Sequence, residues 1–183
     1  MTAQTSAEIG VVLFDGAPAP DPVAGWRAFE ALGEGVVPGV PKSPRYLLLG
    51  TGTQPEPVSG ADVRIRATYA ELARERKQGA PAEGGWVLVV MLDVDEDHAA
   101  ELEQGYAHHL AGRLRFPGFA AASLNRCLEG GGPRYLALYE LTDPGAPTSK
   151  EYLSQPPDPT NALIREHAQL RVRQVYARLR DGA

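Results

Sequence analysis

At 183 residues, 43% apolar and 22% charged, the chain has ordinary globular composition and enough length to bury a core, in one domain or in two small ones packed together. A net charge of −5 with a pI near 5.4 argues against a nucleic-acid-coating role. No apolar run has the length of a membrane span, no signal peptide is visible, and a lone cysteine, Cys127, suits a reducing interior, so a cytoplasmic setting without membrane contact is expected.

Ile9 to Phe14 is a short apolar run closed by Asp15-Gly16 and reads as a buried strand. After a proline-rich loop, Asp21-Pro22 has the form of an N-cap followed by proline, which predicts a helix through Trp26, Phe29 and Leu32 that stops at Gly33. On that helix Trp26 and Phe29 share one face. Arg45 to Gly50 is a second strand, and Val63 to Tyr69 alternates apolar and polar with the period of a half-exposed strand. Ala70 to Gln78 is rich in helix formers, and Gly79 to Gly85 is the expected seam between halves.

Trp86 to Val94 reads as a buried strand, and Asp95-Glu96-Asp97 opens a helix that runs to about Leu114, acids at its N-terminus complementing the dipole. Phe119 to Leu128 and Arg134 to Leu141 form a hairpin. A short helix at Ser149 to Ser154, a proline break, a helix over Asn161 to Leu170 and a closing strand over Arg171 to Leu179 follow. The order strand-helix-strand-strand-helix-strand is the split βαβ, or ferredoxin-like, pattern. The first half presents a similar but shorter series, with Pro38-Gly39-Val40 facing Pro117-Gly118-Phe119.

With His109 eight residues before Pro117-Gly118-Phe119, and with the strand Pro133-Arg134-Tyr135-Leu136-Ala137-Leu138-Tyr139-Glu140, the second half resembles the EthD-like and stress-responsive branches of the dimeric α+β barrel superfamily. The resemblance covers the last hundred residues well and the first half weakly, since Glu30 stands where His109 would have its counterpart. It implies an α+β fold in which two ferredoxin-like sheets close into a barrel. The expectation is therefore a tandem pair of halves, residues 1–80 (degenerate, with little room for a closing strand) and 85–183 (complete), forming an intrachain pseudo-dimer. A homodimer of such chains stays open.

Leu102, Tyr106 and His109 lie at i, i+4 and i+7, a face that must pack on the sheet, whereas His108 points to solvent. An inward imidazole is a candidate acid/base group or a core histidine satisfied by a neighbour. Tyr106 is its candidate helper. Asn125, on the first hairpin strand, could bond a substrate carbonyl, and Tyr135 and Tyr139, which share a strand parity, could frame a pocket or simply fill the interior. Asn125 takes a place where the family often has tyrosine, a place given in the first half to Tyr46.

Several patterns fail. Asp93, Asp95 and Asp97 resemble a calcium loop, but His98 and Gln104 stand where glycine and glutamate are needed. Gly50-Thr51-Gly52 lacks the lysine of a phosphate loop. His98 lies too far along its helix from His108 and His109 to share a metal with them, so no metal and no cofactor are expected. The expected function is cofactor-independent acid/base chemistry (isomerisation, cyclisation or dehydration) on a hydrophobic or aromatic carbonyl metabolite. Its rival is a non-catalytic stress-type or ligand-binding barrel. An enclosed cavity bordered by His109 and mostly apolar walls would favour the enzyme or ligand-binding reading, and a tightly filled interior with His109 bonded to backbone the structural one.

Overall fold

The computed structural model describes residues 7–16, 24–33, 42–51, 54–55, 60–156 and 158–179. Its strands are β1 (Glu8–Asp15), β2 (Trp26–Ala31), β3 (Tyr46–Gly50), β4 (Asp62–Arg76), β5 (Trp86–Val94), β6 (Phe119–Gly130), β7 (Tyr135–Leu141) and β8 (Ala168–Arg178). A 3-10 turn at Glu96–His98 leads into α1 (Ala99–Arg113), and α2 (Lys150–Leu153) and α3 (Pro159–His167) lie between β7 and β8. The eight strands close into one barrel in the order β1-β3-β2-β8-β5-β7-β6-β4, every neighbouring pair antiparallel.

Within that circuit each half has its strands in the order fourth, first, third, second: β4-β1-β3-β2 and β8-β5-β7-β6. The last strand of each half then pairs with the second strand of the other, β4 with β6 and β8 with β2. Crossover helices serve the second half, where connections 95–118 and 142–167 have room for them. The corresponding connections of the first half, 16–25 and 51–61, are shorter, and no helix is found in their described residues.

Period-two alternation sorts the apolar residues into three layers. Val11, Leu13, Leu47, Leu49, Val89, Met91 and Leu136 fill the barrel. Leu88, Leu92, Leu124, Tyr135, Ala137 and Tyr139 face outward, beneath Leu102, Tyr106, Leu110 and Leu163 of the helices. Val12, Phe14, Trp26, Ala28, Tyr46 and Leu48 form a buried cluster on the outer face of the first half.

Three expectations change. The residues expected as a helix through Trp26 form β2, paired with β3 on one side and β8 on the other. Trp26 and Phe29 consequently face opposite sides, Trp26 outward and Phe29 into the barrel. A Cβ on Gly10 or Gly50 would come within 2.3 or 2.5 Å of the Trp26 ring, so the bare backbone of β1 and β3 is what lets the indole lie flat there. Second, the helix formers of 70–78 belong mostly to β4, where ladders to β1 and β6 outweigh local propensity. Third, at 15 residues β4 is a full-length strand in a stretch expected to have little room for a closing one. The Asp21-Pro22 and Pro38-Gly39-Val40 features lie outside the described residues.

The two halves also carry the same bonded cluster at corresponding strand ends. Pro-Arg-Tyr-Leu occurs at 44–47 and again at 133–136. The Arg45 N–H donates to Asp15 Oδ1 and the Arg134 N–H to Asp93 Oδ1, each at 2.8 Å. Arg64 meets Asp15 at 3.5 Å, and Arg171 meets Asp93 at 2.9 Å. Arg45 lies 5.0 Å from the Tyr46 ring centre and Arg134 lies 5.6 Å from that of Tyr135. The contacts cross between halves as well: the Tyr69 hydroxyl donates to Pro133 O at 3.1 Å, and the Tyr176 hydroxyl to Pro44 O at 3.0 Å. Tyr46 is thereby the counterpart of Tyr135, not of Asn125, because Phe14 faces Tyr46 as Leu92 faces Tyr135.

Candidate functional site

Helix α1 turns Leu102, Tyr106, His109, Leu110 and Arg113 toward the sheet, each buried, while His108 is exposed. The heptad spacing continues from His109 to Arg113, a residue the sequence reading passed over because a charged side chain at a helix end defaults to solvent. Opposite stands the start of α3. Asp158 caps it, Oδ1 accepting from the Asn161 N–H at 2.8 Å, with Pro159 in the first turn where its missing N–H costs nothing.

The second oxygen of that cap, which also accepts from Asn161 Nδ2 at 3.4 Å, reaches across to α1. His109 Nδ1 lies 3.0 Å from Asp158 Oδ2, and Arg113 Nε donates to His109 Nε2 at 3.3 Å. Arg113 Nη2 donates to Asn161 Oδ1 at 2.8 Å and sits 3.7 Å from Asp158 Oδ2, and the guanidinium lies 5.0 Å from the Tyr152 ring centre. Arg113 Nη1 is buried and has no hydrogen-bond partner among the described residues. A carboxylate only accepts and a guanidinium only donates, so this network assigns the hydrogen of a neutral imidazole to Nδ1 and the lone pair to Nε2.

The electrostatics agree with that assignment. Burial, assisted by the Arg113 cation and opposed by Asp158, pulls the His109 pKa down to about 4. Burial pushes the Asp158 carboxyl up, but the Asn161 N–H, His109 and Arg113 outweigh it and leave Asp158 below its ordinary value. The charged pair is therefore Arg113 and Asp158, with neutral His109 bridging them.

Tyr106, one turn before His109, has its ring centre 4.9 Å from the imidazole, and its hydroxyl lies 3.4 Å from that of Tyr139. Burial raises the Tyr106 pKa to about 12 and carries Tyr139 well above its ordinary value, so both stay protonated. Tyr135 shares the outward face with Tyr139, as parity requires, but its hydroxyl donates to Glu103 Oε1 at 2.7 Å and takes no part in the His109 cluster. Asn125 is not there either. It is fully buried on the barrel side of β6 and donates to Ser123 Oγ at 3.1 Å and Leu136 O at 3.0 Å.

Two cavities are described. One of about 60 Å³, partly open to solvent, is lined by Ile9, Phe29, Leu49 and Val87 together with Arg27, Arg74 and Glu140, and is too small for a metabolite as it stands. The other, an open hollow of about 310 Å³ at the barrel rim, is bordered by Asp15, Lys42, Arg64 and Arg171. Neither is lined by His109. Among the described residues one set of side chains could hold a metal ion, Asp95, His98 and His167, at the opposite end of α1.

No family model matches the chain, and no curated protein matches it by sequence. Solved structures share its fold. It superposes on an anthrone oxidase-like protein with a TM-score of 0.59 at 12% identity, covering 99% of this chain and 95% of that one. A major regulator of staphylococcal pathogenesis gives 0.57 at 12% identity, over 94% of this chain and 99% of that one. A ferredoxin-fold protein from Listeria monocytogenes, related to antibiotic biosynthesis monooxygenases, gives 0.53 at 8% identity with 95% of each chain covered. The chain thus has the mixed α+β, ferredoxin-type barrel fold of monooxygenase-like proteins, matched over nearly its whole length. Identities this low speak to fold alone. Among the described residues no helix is long and apolar enough to cross a membrane.

Proposed function

We propose that the chain is a small-molecule enzyme that moves protons without a cofactor, using His109 as the base, on a hydrophobic carbonyl compound. The observation that carries this reading is the buried Asp158–His109–Arg113 array, which holds an unprotonated imidazole at neutral pH beside a guanidinium with one N–H group unpartnered. Asp158 retains the Nδ1 hydrogen, so Nε2 is the basic atom. Arg113 covers Nε2 at only 3.3 Å, and a substrate oxygen is a stronger acceptor for the same guanidinium. With Arg113 drawn onto that oxygen, Nε2 takes a proton from the carbon beside the carbonyl. The enolate charge falls on the guanidinium, and the imidazolium returns the proton at another carbon to complete an isomerisation. The Tyr106 and Tyr139 hydroxyls, protonated throughout, are the neutral donors beside it.

The tandem-halves architecture and the EthD-like placement belong to this reading. The first is supported by the shared strand order and the crossed tyrosine bonds, the second by the spacing of His109 and Pro117. A cytoplasmic setting is supported by the lone Cys127. The monooxygenase-like neighbours suggest the probe: anthrone, a planar ketone with an acidic methylene. Deuterium wash-in from D₂O at that methylene, followed by NMR, should be accelerated by the wild-type chain, and His109→Ala should remove about 10²–10⁴-fold of the acceleration. Exchange no faster than in buffer, or equally fast with His109→Ala, sinks the proposal.

A second reading, a non-catalytic barrel, is favoured by one observation: both His109 nitrogens are already engaged and neither described cavity reaches the ring. In that case His109→Ala lowers stability and changes nothing else.

A further inference from the structure

From the juxtaposition of Asp95, His98 and His167 we infer a binding site for a divalent late first-row transition-metal ion where the start of α1 meets the end of α3. This inference is independent of the proposed acid/base chemistry. Each of the three residues offers a ligand atom, and these atoms all lie within 4.8 Å of one another. Asp95 follows β5, His98 ends the 3-10 turn, and His167 is the last residue of α3. Sequence spacing considered His98 only with its helix neighbours; the fold sets it against a residue 69 positions away.

The two imidazoles lie face to face, ring centres 3.6 Å apart and planes within 11°. An imidazole nitrogen binds a metal in the plane of its ring, so one ring must turn out of the stack before both nitrogens, which stand roughly 3.4 Å apart on a tetrahedral ion, can meet it. Asp95 Oδ2 is 3.7 Å from His167 Nδ1, close enough for an ion to sit between them. The other nitrogen of His167, Nε2, is 3.8 Å from Glu166 Oε2, the outer carboxylate that commonly orients a metal-bound histidine. His98 Nδ1 is buried and has no hydrogen-bond partner among the described residues.

The backbone beneath is fixed, so little main-chain ordering remains to be done when the ion arrives. The Asp95 N–H donates to His167 O at 3.1 Å, the His98 N–H donates to Asp95 O at 2.9 Å, and Val94 pairs with Ala168 in the β5–β8 ladder. Two imidazoles and one carboxylate select zinc, cobalt, nickel or copper over magnesium and calcium, which prefer all-oxygen shells. The Asp95 side chain is 71% exposed, which leaves the remaining coordination positions to water. The site lies roughly 16 Å along α1 from His109, at 1.5 Å per residue, so the bound ion acts as a clamp between the two helices that carry His109 and Asp158.

The test uses the full chain stripped with EDTA. Titration with Co²⁺, read by its visible ligand-field absorption, and with Zn²⁺, read by competition with a chromogenic chelator, should each give one ion per chain. His98→Ala and His167→Ala should each weaken binding by at least about tenfold, the loss that removing even an outer-shell partner produces. Asp95→Asn should weaken it less, and His108→Ala not at all. Zn²⁺ should raise the melting midpoint of the wild type and leave the His98→Ala/His167→Ala double variant unmoved. Metal-free melting curves show that each variant is folded, and His98→Gln with His167→Gln repeats the test with larger side chains. Failure of the wild type to bind one ion, binding that survives the double variant, or an equal loss with His108→Ala overturns the site.

Discussion

Strands β1–β4 and β5–β8 follow the same order around the barrel, and the described helices all connect the second set. Asp15, Arg45, Tyr46 and Arg64 repeat as Asp93, Arg134, Tyr135 and Arg171, with the same bond at the same 2.8 Å where the aspartate meets the strand's opening N–H. Only the second half has crossover helices among the described residues, and the buried His109, Arg113, Tyr106 and Tyr139 all belong to that helix-covered layer. Closing the barrel is thus a property of strands and reciprocal tyrosines. The buried titratable cluster belongs to the second layer, where desolvation acts on its groups away from the barrel wall.

The largest test of this division is core truncation on the two sides of one sheet. Met91→Ala inside the barrel and Leu102→Ala beneath α1, both residues fully buried, should each cost about 2–5 kcal/mol in denaturant unfolding. Hydrogen exchange should separate them: Leu102→Ala should release α1 amides more than barrel amides, and Met91→Ala should release both. Uniform loss in both variants would erase the distinction between layers.

Next comes acid. An unfolded histidine binds its proton near pH 6.5, whereas burial holds folded His109 to about 4, so the unfolded state gains protons first as pH falls. The His109 contribution to stability is therefore intact above pH 6.5, declines as pH drops from 6.5 to about 4, and is constant below that, a difference of roughly 3 kcal/mol from this group alone. Urea titrations across that window should show the slope in the wild type and a shallower one in His109→Gln. Equal slopes would place the acid sensitivity elsewhere, the barrel half included.

A smaller effect probes the seam between halves. Gly130 has φ +96°, and a Cβ there would lie 2.2 Å from Arg66 O on the facing strand. Gly130→Ala should cost about 1–3 kcal/mol from backbone strain, with any strand displacement added. Gly131→Ala, where nothing lies within 4 Å, should be close to neutral in the same thermal scan. The smallest and most pointed comparison is Tyr69→Phe against Tyr176→Phe. Each removes one hydroxyl bond to a proline carbonyl of the other half, so each should cost about 0.5–1.5 kcal/mol, and by the same amount. Clearly unequal costs would end the claim of reciprocity.

Much of the second half was legible because its signals are local. The apolar run from Trp86 to Val94, the Gly-rich hairpin turn, and the Leu102–Tyr106–His109 stripe each declare an element and its buried face within a dozen residues. In β2 the same kind of local evidence misled. Trp26 and Phe29 at a spacing of three look helical, and only the ladders to β3 and β8 make them opposite faces of a strand. The helix formers of β4 were overridden in the same way. The repeat of Pro-Arg-Tyr-Leu at 44–47 and 133–136 was in plain view, and aligning it would have matched Tyr46 to Tyr135.

What the sequence determined by itself is whatever follows from periodicity along one segment: the α+β character, the ferredoxin-like order of the second half and the inward turn of His109. What only the tertiary structure decided is every partnership between distant segments. Asp158 facing His109, Arg113 closing the pair, Asn125 falling on the barrel side and His167 stacking on His98 all depend on how helices settle on a twisted, closed sheet. Backbone periodicity fixes which way a side chain points from its own element, but distances between elements are set by packing the whole core at once.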